Sequence, residues 1–257
     1  MRLFSFFKFV AVAALAGSIA GGATMAAETP EPISRDWPHS GVFGTFDRAA
    51  LQRGMQVYKG VCAGCHGLKY VAFRNLEALG YGEDEIEAIA ADYFVEDGPD
   101  DFGDMFEREA VPSDRWPSPF ANEQAARAAN GGAYPPDLSV ITKARAGGED
   151  YIYSLLVGYE EPPEDFELMP GMNYNEYFAG HQIAMAQPLW PDMVDYQDGT
   201  EPTVSQMAAD VTQFLAWTAE PELETRKQTG IKVVLFLIVM SIIFYAYKRR
   251  IWRDVHH

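Results

Sequence analysis

Two cysteines and a histidine stand together at Cys62-Ala63-Gly64-Cys65-His66, and the 257-residue chain has no other cysteine. A C-x-x-C-H run places two thiols on one short turn with an imidazole directly behind them, the attachment signature of a c-type haem. The sulfurs would close two thioethers to the macrocycle and His66 would supply the proximal iron ligand, giving one covalent haem for the chain. Two other chemistries use part of this set. A thioredoxin-like redox pair has the same cysteine spacing but sits at a strand-to-helix turn in a βαβ setting, whereas here a helix from Asp47 to Gly60 leads in. A structural zinc site wants four ligands, commonly from two such pairs. Only one pair is present.

The far side of the iron decides between carrier and catalyst. Iron left open binds or activates small molecules, while iron closed by methionine carries electrons at raised potential. Of the ten methionines, Met1 and Met25 fall in a leader, Met240 in an apolar tail segment, and Met55 and Met207 on helical faces that read as core. Met105, Met169, Met172, Met185 and Met193 are left. Met169 precedes Pro170-Gly171. Met185 lies in Ile183-Ala184-Met185-Ala186-Gln187-Pro188-Leu189, where small neighbours let backbone approach a flat ligand. The residues by themselves leave Met185, Met169 and an open or nitrogenous ligand all standing.

The elements that must position these groups read as mainly α: a cytochrome-type domain with long loop insertions plus one C-terminal transmembrane helix. Asp47 caps a helix with Leu51, Met55 and Tyr58 on one face. Further helices are expected at 83–93, 122–130 and 148–158. Thr203 and Gln206 form a capping box ahead of Met207, Val211, Phe214, Leu215 and Trp217. One short hairpin is expected, with Pro, Gly and acidic residues making ordered loops at 96–119 and 160–170.

The ends of the chain carry address information. Arg2 and Lys8, an apolar run from Phe9 to Ala20 and the small-residue exit at Ala26-Ala27 read as a signal peptide over 1–26. The segment Ile231 to Tyr247 reads as a membrane anchor within 229–250. It is about 25 Å long at the helical rise, a shortfall that snorkelling by Lys232, Lys248 and Arg249 can cover. Basic residues at 248–250 and 253 then put a short tail, 251–257, in the cytoplasm and the domain at 27–228 in the periplasm of a bacterium, tethered to its inner membrane. Residues 27–230 hold 36 of the chain's 37 acidic residues against 13 of its 20 basic ones. That excess excludes nucleic acid as a partner and suits the steering of a basic one.

Several stretches together resemble the cytochrome c1 family, the haem-bearing subunits of cytochrome bc1 (quinol to cytochrome c reductase) complexes. They are Arg53-Gly54-Met55-Gln56-Val57-Tyr58-Lys59 before the haem motif and Tyr70-Val71-Ala72-Phe73-Arg74 after it. Residues 125–133, Pro135-Pro136-Asp137-Leu138-Ser139, Arg145 and Gly147-Gly148-Glu149-Asp150-Tyr151 follow. The likeness continues through the Met185 loop to the anchor. It implies that Met185 is the axial partner of His66, that Arg145 faces a haem propionate, and that Pro135, Pro136 and Tyr151 line the haem. It also implies electron transfer from a Rieske iron-sulfur protein to a soluble basic c-type cytochrome, in a complex with cytochrome b in the lipid bilayer. The chain departs from the family's common pattern at Ala186 and Gln187, where proline is usual, and lacks the extra cysteine pair of some bacterial members. Two other functions remain compatible with the haem motif: an anchored peroxidase-like enzyme with open iron, and the cytochrome subunit of a terminal oxidase.

Overall fold

The computed structural model describes residues 30–255, so the signal peptide expected at 1–26 lies outside the described residues. Six α-helices carry the fold: α1 Arg48–Val57, α2 Glu83–Ala91, α3 Glu123–Ala129, α4 Gly148–Val157, α5 Val204–Ala219 and α6 Leu223–Ile251. Two small antiparallel hairpins accompany them, β1 Phe94–Asp97 with β2 Phe106–Glu109, and β3 Asn173–Tyr174 with β4 Gln182–Ile183. The sequence suggested one hairpin. The first runs from Phe94 into the acidic 96–119 stretch expected as loop, where Arg108 bridges Asp97 and Asp114 and offsets the local negative charge.

Local capping explains where the helices begin. Asp47 Oδ1 accepts from the backbone N–H groups of Ala49 and Ala50, and Asn122 Oδ1 accepts from Ala125, so each satisfies donors that the first turn leaves open. At α5 only half of the expected capping box forms. Thr203 Oγ1 accepts from Gln206 N, but the Gln206 side chain turns away and donates to Asp210 Oδ2 at 2.9 Å. The buried Asp210 carboxylate competes successfully for that amide because its charge strengthens the hydrogen bond.

The core is organised by α1 crossing α5, the most extensively packed pair of elements among the described residues. Gly54 makes the crossing possible: a Cβ there would stand 2.1 Å from the Asp210 carbonyl oxygen and 2.7 Å from Phe214 Cβ. One residue earlier, the Arg53 guanidinium grips Asp210 through Nε (2.9 Å) and Nη2 (3.0 Å) and reaches Asp198 at 2.8 Å. Asp210 is fully buried, and such a carboxylate is tolerated because it is paired and hydrogen-bonded. Around the crossing, Tyr58, Phe73, Trp116 and Phe214 pack ring against ring, with centroids 5.0–5.8 Å apart. Helix α4 joins through Tyr153, whose hydroxyl meets Ser205 Oγ at 2.9 Å. Met55 and Met207 are core residues, as their helical positions implied.

Helix α6 leaves this body. Its apolar residues from Val233 to Tyr247 face solvent, and it is the one described helix long and apolar enough to cross a membrane, with none of its most apolar window buried. The helix begins at Leu223, ahead of the anchor segment expected at 229–250, because its root is part of the domain. Leu223 is buried, Glu224 accepts from Arg48 and from Phe46 N, and Lys227 donates to two loop carbonyls. The described residues thus form a mainly helical domain with one helix long and apolar enough to span a membrane.

The α1–α5 crossing gives a direct test. Gly54→Ala should lower domain stability by roughly 3 kcal/mol, because the methyl must displace helix backbone rather than a flexible side chain. Denaturant unfolding followed by tryptophan fluorescence reads the change.

Candidate haem site

The motif sits where α1 changes pitch. After Val57 the helix widens into a π turn over Tyr58–Cys62, closed by Ala63 N donating to Tyr58 O at 2.8 Å. Single π turns of this kind re-aim side chains at functional sites. Cys65 N and His66 N then both donate to Cys62 O, at 3.1 and 2.9 Å, so the two cysteines and the histidine share one compact turn. Tyr58, buried in the aromatic core, fastens the far end by donating its hydroxyl to His66 O at 2.8 Å.

The second half of the site comes from residues 135–139. Leu138 N donates to Gly67 O at 2.9 Å, Lys69 N to Asp137 Oδ2 at 2.9 Å and Tyr70 N to Ser139 Oγ at 3.1 Å, while Asp137 Oδ1 also accepts from Ser139 N. These bonds zip the segment onto the chain just past His66. They bring the Pro136 carbonyl to 2.7 Å from His66 Nδ1. A carbonyl only accepts, so Nδ1 carries the proton and Nε2 keeps its lone pair. That tautomer is the one a metal-ligating histidine needs, with its other nitrogen fixed by a carbonyl. Burial also holds His66 below its ordinary pKa, favouring the neutral ring.

The two thiols are free. Burial, and secondarily the neighbouring Cys65, push the Cys62 thiol up to about 12, whereas a thioredoxin-like nucleophile needs a depressed thiolate. Among the described residues no βαβ unit surrounds them, and no cluster of three or more His, Cys, Asp or Glu side chains could hold a metal ion. The zinc and dithiol readings therefore find no support in the surroundings. The site fits a c-type haem on its own geometry: two unpaired thiols and an imidazole with a free Nε2 on one turn, with nothing within 4 Å of where a Cβ on Gly64 would stand.

The other expected residues fall into two groups. Pro135 is half-buried and Pro136 exposed; the contribution of Pro136 includes its carbonyl, which the expectation that it lines the haem did not anticipate. Arg145 is exposed and donates only to the Ala144 carbonyl, at 3.0 Å, and among the described residues it forms no ion pair, so its guanidinium is available to a carboxylate ligand. Tyr151, on α4, is half-buried, and burial raises its hydroxyl pKa against the opposing field of Arg145.

Met185 is half-buried in the loop after β4. Its carbonyl accepts from Tyr159 Oη at 3.1 Å and Asn173 Nδ2 at 3.4 Å. The hairpin that carries it is pinned to α4 by the buried Asn175, whose Nδ2 donates to Leu155 O at 2.8 Å and whose Oδ1 accepts from Tyr177 N and Phe178 N. Met105, Met169 and Met193 are exposed, and the Met193 sulfur accepts from Trp190 N. Tyr159, Asn173 and Asn175 were missed by sequence reading; isolated Tyr and Asn residues in an irregular stretch carry no periodic signal.

Fold and site define a haem-binding helical domain carried on one membrane helix. The family model described as the Cytochrome C1 family matches residues 37–255, and the chain belongs to that family. Membership makes it a haem-bearing electron-transfer subunit. It is 50% identical over 254 residues to "Cytochrome c1" of Rhodospirillum rubrum, covering 92% of this chain and 93% of that protein. It is 50% identical over 248 residues to "Cytochrome b/c1" of Bradyrhizobium diazoefficiens, covering 88% of this chain but 36% of that longer protein. With "Cytochrome b-c1 complex catalytic subunit, mitochondrial" of Candida albicans it shares 49% identity over 225 residues, 87% of this chain and 78% of that protein.

The zip between 66–70 and 136–139 can be probed directly. Asp137→Ala removes the acceptor of the exposed Lys69 N–H and the part-buried Ser139 N–H and should cost roughly 1 kcal/mol, read as a lower midpoint in denaturant unfolding.

Proposed function

We propose that this chain is the c1 subunit of a quinol–cytochrome c reductase, holding one haem through thioethers to Cys62 and Cys65 with His66 and Met185 as axial ligands. The reading rests on the His66 ring, whose Nδ1 is taken by the Pro136 carbonyl beside two free thiols on the same turn. The names of the Bradyrhizobium and Candida relatives, which join b and c1, support a complex with cytochrome b. The haem supplies reversible one-electron chemistry when bound. The protein's own residues fix its orientation: the π turn presents the thiols, Pro136 holds the His66 tautomer, and Tyr159 and Asn173 hold the Met185 loop. Arg145 pairs with a propionate, with Pro135, Pro136 and Tyr151 along the edge.

In this reading residues 1–26 export the domain 27–228 to the periplasm, α6 anchors it in the inner membrane within 229–250, and 251–257 remain cytoplasmic. The electron donor is a Rieske iron-sulfur protein and the acceptor a soluble basic c-type cytochrome. The acidic loop with Glu160, Glu161, Glu164, Asp165 and Glu167 is the candidate docking face. It borders a concavity of about 640 Å³ lined by Glu160, Glu161, Ala186, Gln187 and Trp190 beside the Met185 loop, so a basic partner steered there meets the ligand loop.

Met185→Leu should abolish the sulfur-to-iron absorption signature and lower the haem potential, whereas Met169→Leu should leave both nearly intact. Ready binding of carbon monoxide by the unmutated reduced protein would overturn the six-coordinate assignment. Co-purification with a copper-haem oxidase instead of a cytochrome b and a Rieske protein would overturn the complex.

A further inference from the structure

The root of α6 holds a loop whose apolar tip has no partner in the domain. Lys227 Nζ donates to His39 O at 2.6 Å and Gly44 O at 3.0 Å, tying both ends of the 39–44 loop to the helix. The neck is closed further by Ser40 N to Trp37 O at 2.9 Å and Thr45 N to Pro38 O at 3.1 Å. A Cβ on Gly44 would lie 1.9 Å from the Ser40 carbonyl oxygen, so the neck closes only around glycine. The tip that this framework presents is Val42, 63% exposed, and Phe43, 84% exposed. Holding two large apolar side chains in water on a fixed loop is unfavourable unless something other than water meets them.

What meets them follows from where the loop is tied. Lys227 precedes Ile231, the start of the apolar run, by about 6 Å along the helix axis. His39, Gly41 and Val42 face Leu223, Ile231, Val234 and Leu235 of α6 across a cleft of about 660 Å³, which Arg226 and Lys227 also line. Apolar walls continuous with a membrane-crossing surface match a lipid acyl chain, while the two bases at the end nearer the domain are already engaged, Arg226 with Glu220 and Lys227 with the loop carbonyls, and close the head of the cleft.

We propose that the 39–44 loop is a second membrane contact, an interfacial foot whose Val42 and Phe43 enter the lipid leaflet beside the span while a lipid acyl chain fills the cleft between loop and helix. Nothing in it depends on the haem assignment. The test is depth measurement by nitroxide labelling of Phe43→Cys and Val42→Cys in the full chain, haem-loaded and reconstituted in phosphatidylcholine–phosphatidylglycerol vesicles. The unsubstituted chain serves as the labelling blank. Phe102→Cys, at a site 91% exposed on the β1–β2 connection, is the aqueous reference. Both labels should collide with oxygen several-fold more than with a water-soluble nickel chelate, relative to the label at 102. Nickel accessibility equal to that at 102 would overturn the proposal, and so would protection from both quenchers, which would mean that protein covers the loop.

Discussion

One hydrogen bond, from His66 Nδ1 to the Pro136 carbonyl, organises the functional half of this molecule. A histidine that must bind metal through Nε2 has to be told which nitrogen to protonate, and a backbone carbonyl gives that instruction without introducing a charge. The acceptor is 70 residues away in sequence, so the instruction requires a fold. It is delivered by the zip of Asp137, Leu138 and Ser139 against Gly67, Lys69 and Tyr70. Asp137 is the hinge of that arrangement because its two oxygens serve both strands of the zip.

The other half of the architecture exists to keep this turn still. The π turn grows directly from α1, α1 is pressed onto α5 at Gly54, and the Arg53–Asp210 pair fixes the rotation of one helix on the other. Tyr58 joins the two systems: its ring belongs to the aromatic core and its hydroxyl to the His66 carbonyl. Helix α4 holds the Met185 loop in a comparable way, through Asn175 and the Leu155 carbonyl.

Much of this was legible in the residues, for definable reasons. The C-x-x-C-H run is a contiguous pattern, so Cys62, Cys65 and His66 could be named as candidates at once, and the structure gathers them on one turn. Helical periodicity and local caps located α1, α3, α4 and α5, and Asp47, Asn122 and Thr203 cap as their types suggest. The capping box at α5 formed only in part, because a tertiary partner, the buried Asp210, outcompeted the local one. The second hairpin and its pin at Asn175 were illegible: two-residue strands have no period, and an asparagine that bonds to a distant carbonyl looks like any loop asparagine. Spacing alone left Met185 and Met169 both standing as iron ligands, and the choice of Met185 is what the family resemblance implies.

The seating of α6 in the domain has a mechanical corollary. Only the short turn at Glu220–Glu222 separates α5 from α6, and Leu223, Glu224 and Lys227 bolt the start of the span to the same body that carries the haem motif. The domain is thus a head on a stiff mast, without a swivel. Its altitude and attitude over the bilayer are set at the base, and any reach or travel in charge exchange has to be provided by whatever comes to meet it.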